Sequence, residues 1–308
     1  MVFADLKNDF VFRRIFASHP DILRGLLNDL LDRQGERAID AIEYLPSEQF
    51  PQVVGAKLSI LDVRCKDRSG TTFVVEMQLL HVPGFINRIV FNACKAYSGQ
   101  LKVGDPYTKL TDVVAISICD FELWPDAAQD AAKQPHVPMV SRWNMMERAS
   151  GSDGLLQVQY AFVELPKLPP RQPSTGAELW AWLFVHAPEL SEVPSELPSG
   201  PHRAAVELAN EATFTLAEMD AYRKVMDEIQ QAREFGDARH AEGEAKGKTE
   251  GKVEAILAVL AARGLAVNSE LQARIRACAD IAVLDRLLVR AATAGSAEEV
   301  SASILDQP

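Results

Sequence analysis

Cysteine is scarce in this chain and never close-spaced. Four occur in 308 residues, at Cys65, Cys94, Cys119 and Cys278, and no C-x-x-C pair is among them. That argues against a disulfide framework or a zinc ribbon and makes a reducing, intracellular compartment the expectation. The six histidines are scattered, without the spacing of a ligand set. No uninterrupted apolar run approaches the roughly 20 residues of a membrane-spanning helix. The opening MVFADLKNDF lacks a charged stretch followed by an apolar one, so no leader is expected. The expectation is a cytoplasmic protein with no membrane partner. Basic residues are also in short supply: 32 Lys and Arg face 43 Asp and Glu, a net charge of −11. This imbalance argues at first against a polyanionic partner. Its distribution weakens the argument, because residues 1–122 hold 14 basic and 16 acidic side chains and the remainder 18 and 27. A near-neutral N-terminal part can still carry a locally basic face.

What is present is the composition of an ordinary globular protein, 47% hydrophobic and 24% charged, long enough for one large domain or two modest ones. Apolar residues recur at helical spacing over 9–31, with His19-Pro20-Asp21 expected to break or kink that helix. Strands are expected at 41–45, 57–66, 71–80, 112–121 and 157–165, and a helix at 84–103, entered after Pro83 and closed by Gly104. The order is α-β-β-β-α-β. Residues 136–148 carry no clear signal. Helices are expected at 178–186, 203–211 and 216–235. In AEGEAKGKTEGK, Gly243, Gly247 and Gly251 recur every four residues; each interior glycine costs about 1 kcal/mol of helix, and charge pairs return only a few tenths. A marginal helix or hinge is expected there, followed by short amphipathic helices over 253–305.

The strands at 57–66 and 71–80 carry the chemistry. Lys66-Asp67-Arg68-Ser69-Gly70 reads as a hairpin turn in which glycine supplies positive φ. With Arg68-Ser69-Gly70 as the loop, Asp67 pairs with Thr71 and Asp62 lies opposite Glu76. Directly opposed residues have Cβ atoms about 4.5–5.5 Å apart, and Gln78 shares the Glu76 face. Two acids and an amide thus converge within strands otherwise largely apolar. Like charges there repel and are costly to desolvate; a divalent cation would turn them into a site. The competing reading is a pair of strand-end acids making local hydrogen bonds.

The α-β-β-β-α-β order, with Asp62 on one hairpin strand and Glu76-Met77-Gln78 on the next, resembles the PD-(D/E)XK nuclease superfamily. More closely, the chain is similar to the recombination-promoting nuclease (Rpn) family of transposase-like proteins. The similarity runs through Asn8-Asp9-Phe10-Val11-Phe12-Arg13-Arg14-Ile15-Phe16, Leu61-Asp62-Val63, and Arg88, Gln100-Leu101, Gly104 and Tyr107. It continues in Phe162-Val163-Glu164-Leu165-Pro166-Lys167 and the glycine-glutamate repeat, so it covers nearly the whole chain. Two positions depart from the pattern: Gln78 stands where the superfamily has lysine, and Asn92 where the family usually has an aromatic residue.

The resemblance implies a restriction-endonuclease-like α/β core with a mixed central sheet, followed by a helical C-terminal region. The implied parts are a nuclease-like domain over 1–170, a helical extension over 171–235, a linker or marginal helix over 236–252 and a small helical module over 253–308. It also implies Mg²⁺-dependent hydrolysis of DNA in recombination or mobile-element biology, with Mn²⁺ able to substitute. Asp62, Glu76 and the Met77 carbonyl would be the ligands, and Gln78 would orient water or donate to a phosphate oxygen. Asp9 could add a carboxylate, or simply begin the first helix beside Asn8. Arg88, Lys95 and Lys102, seven apart, could track a DNA backbone or be solvated surface charge. Tyr97 and Tyr107 could stack on bases, with a core role favoured. The alternative function is a catalytically inactive member that binds DNA or protein. The C-terminal helices could join two copies.

Overall fold

The computed structural model describes residues 2–49, 59–125, 136–296 and 299–300. Within them a six-stranded mixed sheet forms the centre, built from β1 (Ile42–Tyr44), β4 (Val63–Asp67), β5 (Thr72–Gln78), β6 (Val113–Cys119), β7 (Val140–Met146) and β8 (Asp153–Glu164). Its spatial order is β1-β4-β5-β6-β8-β7. β5, β6 and β8 run parallel, and the other neighbours pair antiparallel. A separate two-residue ladder joins β2 (Glu48–Gln49) to β3 (Ser59–Ile60). The two innermost strands, β5 and β6, are buried almost throughout, as expected when both faces of parallel strands are covered.

Strand alternation divides the core into two layers. Phe73, Val75 and Met77 of β5 and Val114, Ile116 and Ile118 of β6 face one cluster. That cluster is completed by α1 (Asp9–Phe16), α2 (Pro20–Leu30), α4 (Gly176–His186) and α5 (Pro201–Leu208). Val74, Val113, Ala115 and Cys119 face the other, against Phe85, Ile89, Ala93 and Ala96 of α3 (Phe85–Ser98). Asn8 caps α1 by accepting from the Phe10 and Val11 N–H groups, and Pro20 opens α2 at a position where its missing N–H costs nothing. Trp180 on α4 is fully buried, and its indole N–H donates to Asp29 on α2 at 2.9 Å.

Several expected boundaries move. The strand expected over 57–66 begins outside the described residues. Within them it is interrupted: Asp62 sits in a bend between β3 and β4. Helix α3 stops at Ser98 rather than continuing to residue 103. The chain is diverted there because the Gln100 side chain exchanges hydrogen bonds with the Thr111 backbone, at 2.9 and 2.8 Å. Tyr107 is correspondingly 84% exposed, so its expected core role fails, while Tyr97 packs against the α3 cluster. Residues 140–146, which carried no clear signal, are an edge strand hydrogen-bonded to β8.

The chain divides into compact units at 1–229 and 230–308. Helix α6 (Leu216–Ala262) runs unbroken through the glycine repeat. The second unit has its own core, in which Val253, Ile256 and Leu260 of α6 meet Leu271 and Ile275 of α7 (Ser269–Ala277) and Leu284 and Leu287 of α8 (Ile281–Thr293).

Candidate active site

The hairpin register is the one expected from the turn: Val63 pairs with Val75, and the Asp67 N–H donates to the Thr71 carbonyl. Asp62 therefore lies one step beyond the last ladder pair, at the level of Glu76, where β4 begins and the chain bends away. Its carboxylate takes over from the missing strand. Oδ2 accepts the Met77 backbone N–H at 2.9 Å. In an extended strand a residue's N–H and C=O leave on the same edge, so the Met77 carbonyl also opens toward Asp62. Oδ1 of Asp62 accepts from Arg13 of α1, with Nη2 at 2.8 Å and Nε at 3.2 Å.

Glu76 and Gln78 share the sheet face of Val74, toward α3. Glu76 is buried, 8% exposed, and its Oε1 accepts from Nδ2 of Asn92 at 2.8 Å. Burial pushes the Glu76 carboxyl up from its ordinary value. The Asn92 hydrogen bond and the Arg88 charge oppose the shift, and the Asp62 charge adds to it. Gln78 accepts at Oε1 from Nη2 of Arg88 and donates from Nε2 to the Leu80 carbonyl at 3.0 Å. Strand β5 and helix α3 are thus cross-linked twice, Glu76 to Asn92 and Gln78 to Arg88. The spacing accounts for the match: two strand residues span about 6.6 Å and four helix residues about 6 Å.

Asp9, in the first turn of α1, is electrostatically coupled to this group. Desolvation raises its carboxyl and the Asp62 charge adds to that, while Arg13 opposes and Glu228 adds again. Asn8 rather than Asp9 provides the helix cap. Among the described residues, no group of three or more His, Cys, Asp or Glu side chains is arranged to hold a metal ion. The acids available are Asp62 and Glu76, with Asp9 as an outlying third.

The basic stripe expected on one helix face does not survive intact. Arg88 contacts Gln78. Lys95 is half-buried, with its ammonium over the Phe91 ring. Lys102 lies beyond the end of α3 in an exposed turn, where its backbone N–H donates to Asp105. Three residues at the site carry little signal of their role in the sequence. Arg13 was visible only as part of an N-terminal motif. Asn92 stands out in the sequence only as a departure from a pattern, although its position four residues after Arg88 matches the two-residue step from Gln78 back to Glu76. Lys7 forms an ion pair with Asp120 at 3.1 Å. Asp120 in turn donates its N–H to the Gln78 carbonyl; no local signal in the sequence joins Lys7 to it.

A family model described as PD-(D/E)XK nuclease family transposase matches residues 6–234. Comparisons with curated proteins and with solved structures found no match. The matched span ends close to the boundary between the two compact units.

Proposed function

The chain belongs to the PD-(D/E)XK nuclease family transposases, and from that premise we propose that it is a metal-dependent DNA endonuclease acting in recombination or element movement. The observation that carries this is the convergence of Asp62 and Glu76 at the point where β4 and β5 part. The donor set fits a hard dication. Two carboxylates and the Met77 carbonyl are oxygen ligands, and Mg²⁺ commonly takes one or two carboxylates while retaining waters. The raised Glu76 carboxyl is the mark of a charge that burial and a like-charged neighbour disfavour, and a cation would relieve it. Mn²⁺ would be able to stand in.

In this reading Asp62, Glu76 and the Met77 carbonyl would hold the ion, with Asp9 as an additional carboxylate, and Gln78 would stand next to them on β5. The bound ion would supply an acidic water and charge neutralisation at the phosphate. Hydrolysis joins the oxygen of water to phosphorus and breaks the bond to a sugar oxygen, which leaves with a proton. The protein's own part is geometric. Asn92 fixes Oε1 of Glu76 and leaves Oε2 to coordinate, while Met77 and Arg13 fix the Asp62 carboxylate. Arg88, Lys95 and Lys102 would contact the DNA backbone, and the C-terminal helices would join copies of a cytoplasmic protein.

The test is a cleavage assay on plasmid and single-stranded DNA across divalent metals. Nicking or cutting is expected with Mg²⁺ or Mn²⁺, lost in Asp62→Ala and Glu76→Ala proteins that retain their circular dichroism. Cleavage unaffected by both substitutions would overturn the site. DNA binding without turnover in every metal would replace the nuclease with a non-catalytic binding protein.

A further inference from the structure

We propose that Arg88 is the cation that meets the reacting phosphate, and that Gln78 is the residue that positions it. The assignment rests on the nuclease reading and deepens it. A glutamine carries no charge and transfers no proton, so Gln78 cannot itself do what a lysine on β5 would do. Its amide is also committed to protein partners. Oε1 accepts from Arg88, and Nε2 donates to the Leu80 carbonyl. Turning the amide over would set its NH₂ against a guanidinium, so a single orientation is selected.

Arg13 and Lys7, the other cations near this end of β5, are ion-paired with Asp62 and Asp120, and the positive charge that Gln78 itself holds comes from α3. Arg88 stands one turn before Asn92, the residue that holds Glu76, and its guanidinium lies over the Phe85 ring at 5.4 Å. The charge of Arg88 is felt at Glu76, yet the two form no ion pair among the described residues. Among the described residues Gln78 is the one hydrogen-bond acceptor of the Arg88 guanidinium, and the buried Nε has none. A guanidinium offers five N–H donors, and leaving buried ones unpaired is costly. Phosphate is the ligand whose oxygens suit that fork, through paired, charge-assisted hydrogen bonds. Gln78 holds the fork where its charge reaches Glu76, and the neutral amide does so without pairing off the charge.

The experiment combines Arg88→Ala, Arg88→Lys, Gln78→Ala and the double variants with Asp62→Ala as the control. Cleavage rates are measured alongside binding of a short DNA duplex in Ca²⁺, followed by fluorescence anisotropy across salt concentrations. Arg88→Ala is expected to slow cleavage about 10²–10³-fold and to reduce the salt slope of binding by about one. Gln78→Ala should slow cleavage less, and should add nothing in the Arg88→Ala background, because it acts through the arginine. Gln78→Lys in that background should restore part of the rate. If Arg88→Ala does not fold, Arg88→Lys carries the test, with an expected loss of rate at an unchanged salt slope. Wild-type cleavage by Arg88→Ala, or losses from Arg88 and Gln78 that multiply, would overturn the assignment. Cleavage lost in Asp62→Ala but kept in Arg88→Ala would overturn it alone. A wild-type protein that cuts DNA in no metal would overturn the nuclease reading and this assignment with it.

Discussion

Asn92 donates to Oε1 of Glu76 from inside the protein, 4% exposed. The bond favours the ionised form of a carboxyl that burial pushes the other way. Removing the donor would leave the oxygen unsatisfied and raise the carboxyl further, and a metal binds only the deprotonated form. Asn92→Ala is therefore expected to weaken Mn²⁺ binding about 10–100-fold, the usual effect of losing a group that orients a ligand. Isothermal titration calorimetry would measure it, and an unchanged affinity would remove Asn92 from the site. At this scale the sequence was partly legible. Asp62, Glu76 and Gln78 could be picked out because an alternating strand pattern and a short turn set their register. Asn92, Arg13 and Lys7 could not, because each acts on a residue from a different element.

Gly25, on α2, illustrates how closely the elements approach. A Cβ built there would lie 2.5 Å from Cγ and 2.6 Å from Cβ of Pro201, at the start of α5. The proline ring cannot rotate away. Gly25→Ala would gain about 1 kcal/mol in helix propensity but incur about 1–3 kcal/mol of overpacking. The net expectation is a loss of stability, read as a lower denaturation midpoint; a stabilised variant would mean that α5 shifts freely. Elements were legible where periodicity was strong, as in α1, β5 and β6. The end of α3 was less so: Gly99, its C-cap, disfavours helix by about 1 kcal/mol, but Gln100, Leu101 and Lys102 beyond it are good helix formers. What holds the chain away from helix past Gly99 is the Gln100–Thr111 exchange, a contact to a residue 11 positions on.

At the level of the whole chain, the core of the second unit includes the fully buried Leu260, Leu284 and Ile275. Leu284→Ala is expected to cost about 2–5 kcal/mol. Because the chain forms two compact units, calorimetry should show a transition that moves with this substitution while the transition of residues 1–229 stays in place. A single transition shifting as one would mean that the units unfold together. The glycine repeat belongs to this scale as well. Its pairs Glu244–Lys248 and Lys246–Glu250, at 2.7 and 3.8 Å, are solvent-exposed, and such pairs contribute little. Helix persists there because it adjoins turns packed through Val253, Ile256 and Leu260, and extending a helix costs far less than starting one. Local propensity alone pointed to a marginal segment because it omits that nucleus.

Local rules in the sequence, the two-residue period of strands and a glycine-closed turn, were enough to place Asp62 level with Glu76 and Gln78 on the same face as Glu76. The docking of α1 and α3 on the sheet decided what each polar group meets: Arg13 at Asp62, Asn92 at Glu76, Arg88 at Gln78. Pairing along a hairpin is set by backbone geometry between neighbours in the chain. Pairing between a helix and a sheet depends on how apolar faces pack across the core, and spacing along one sequence leaves that undetermined.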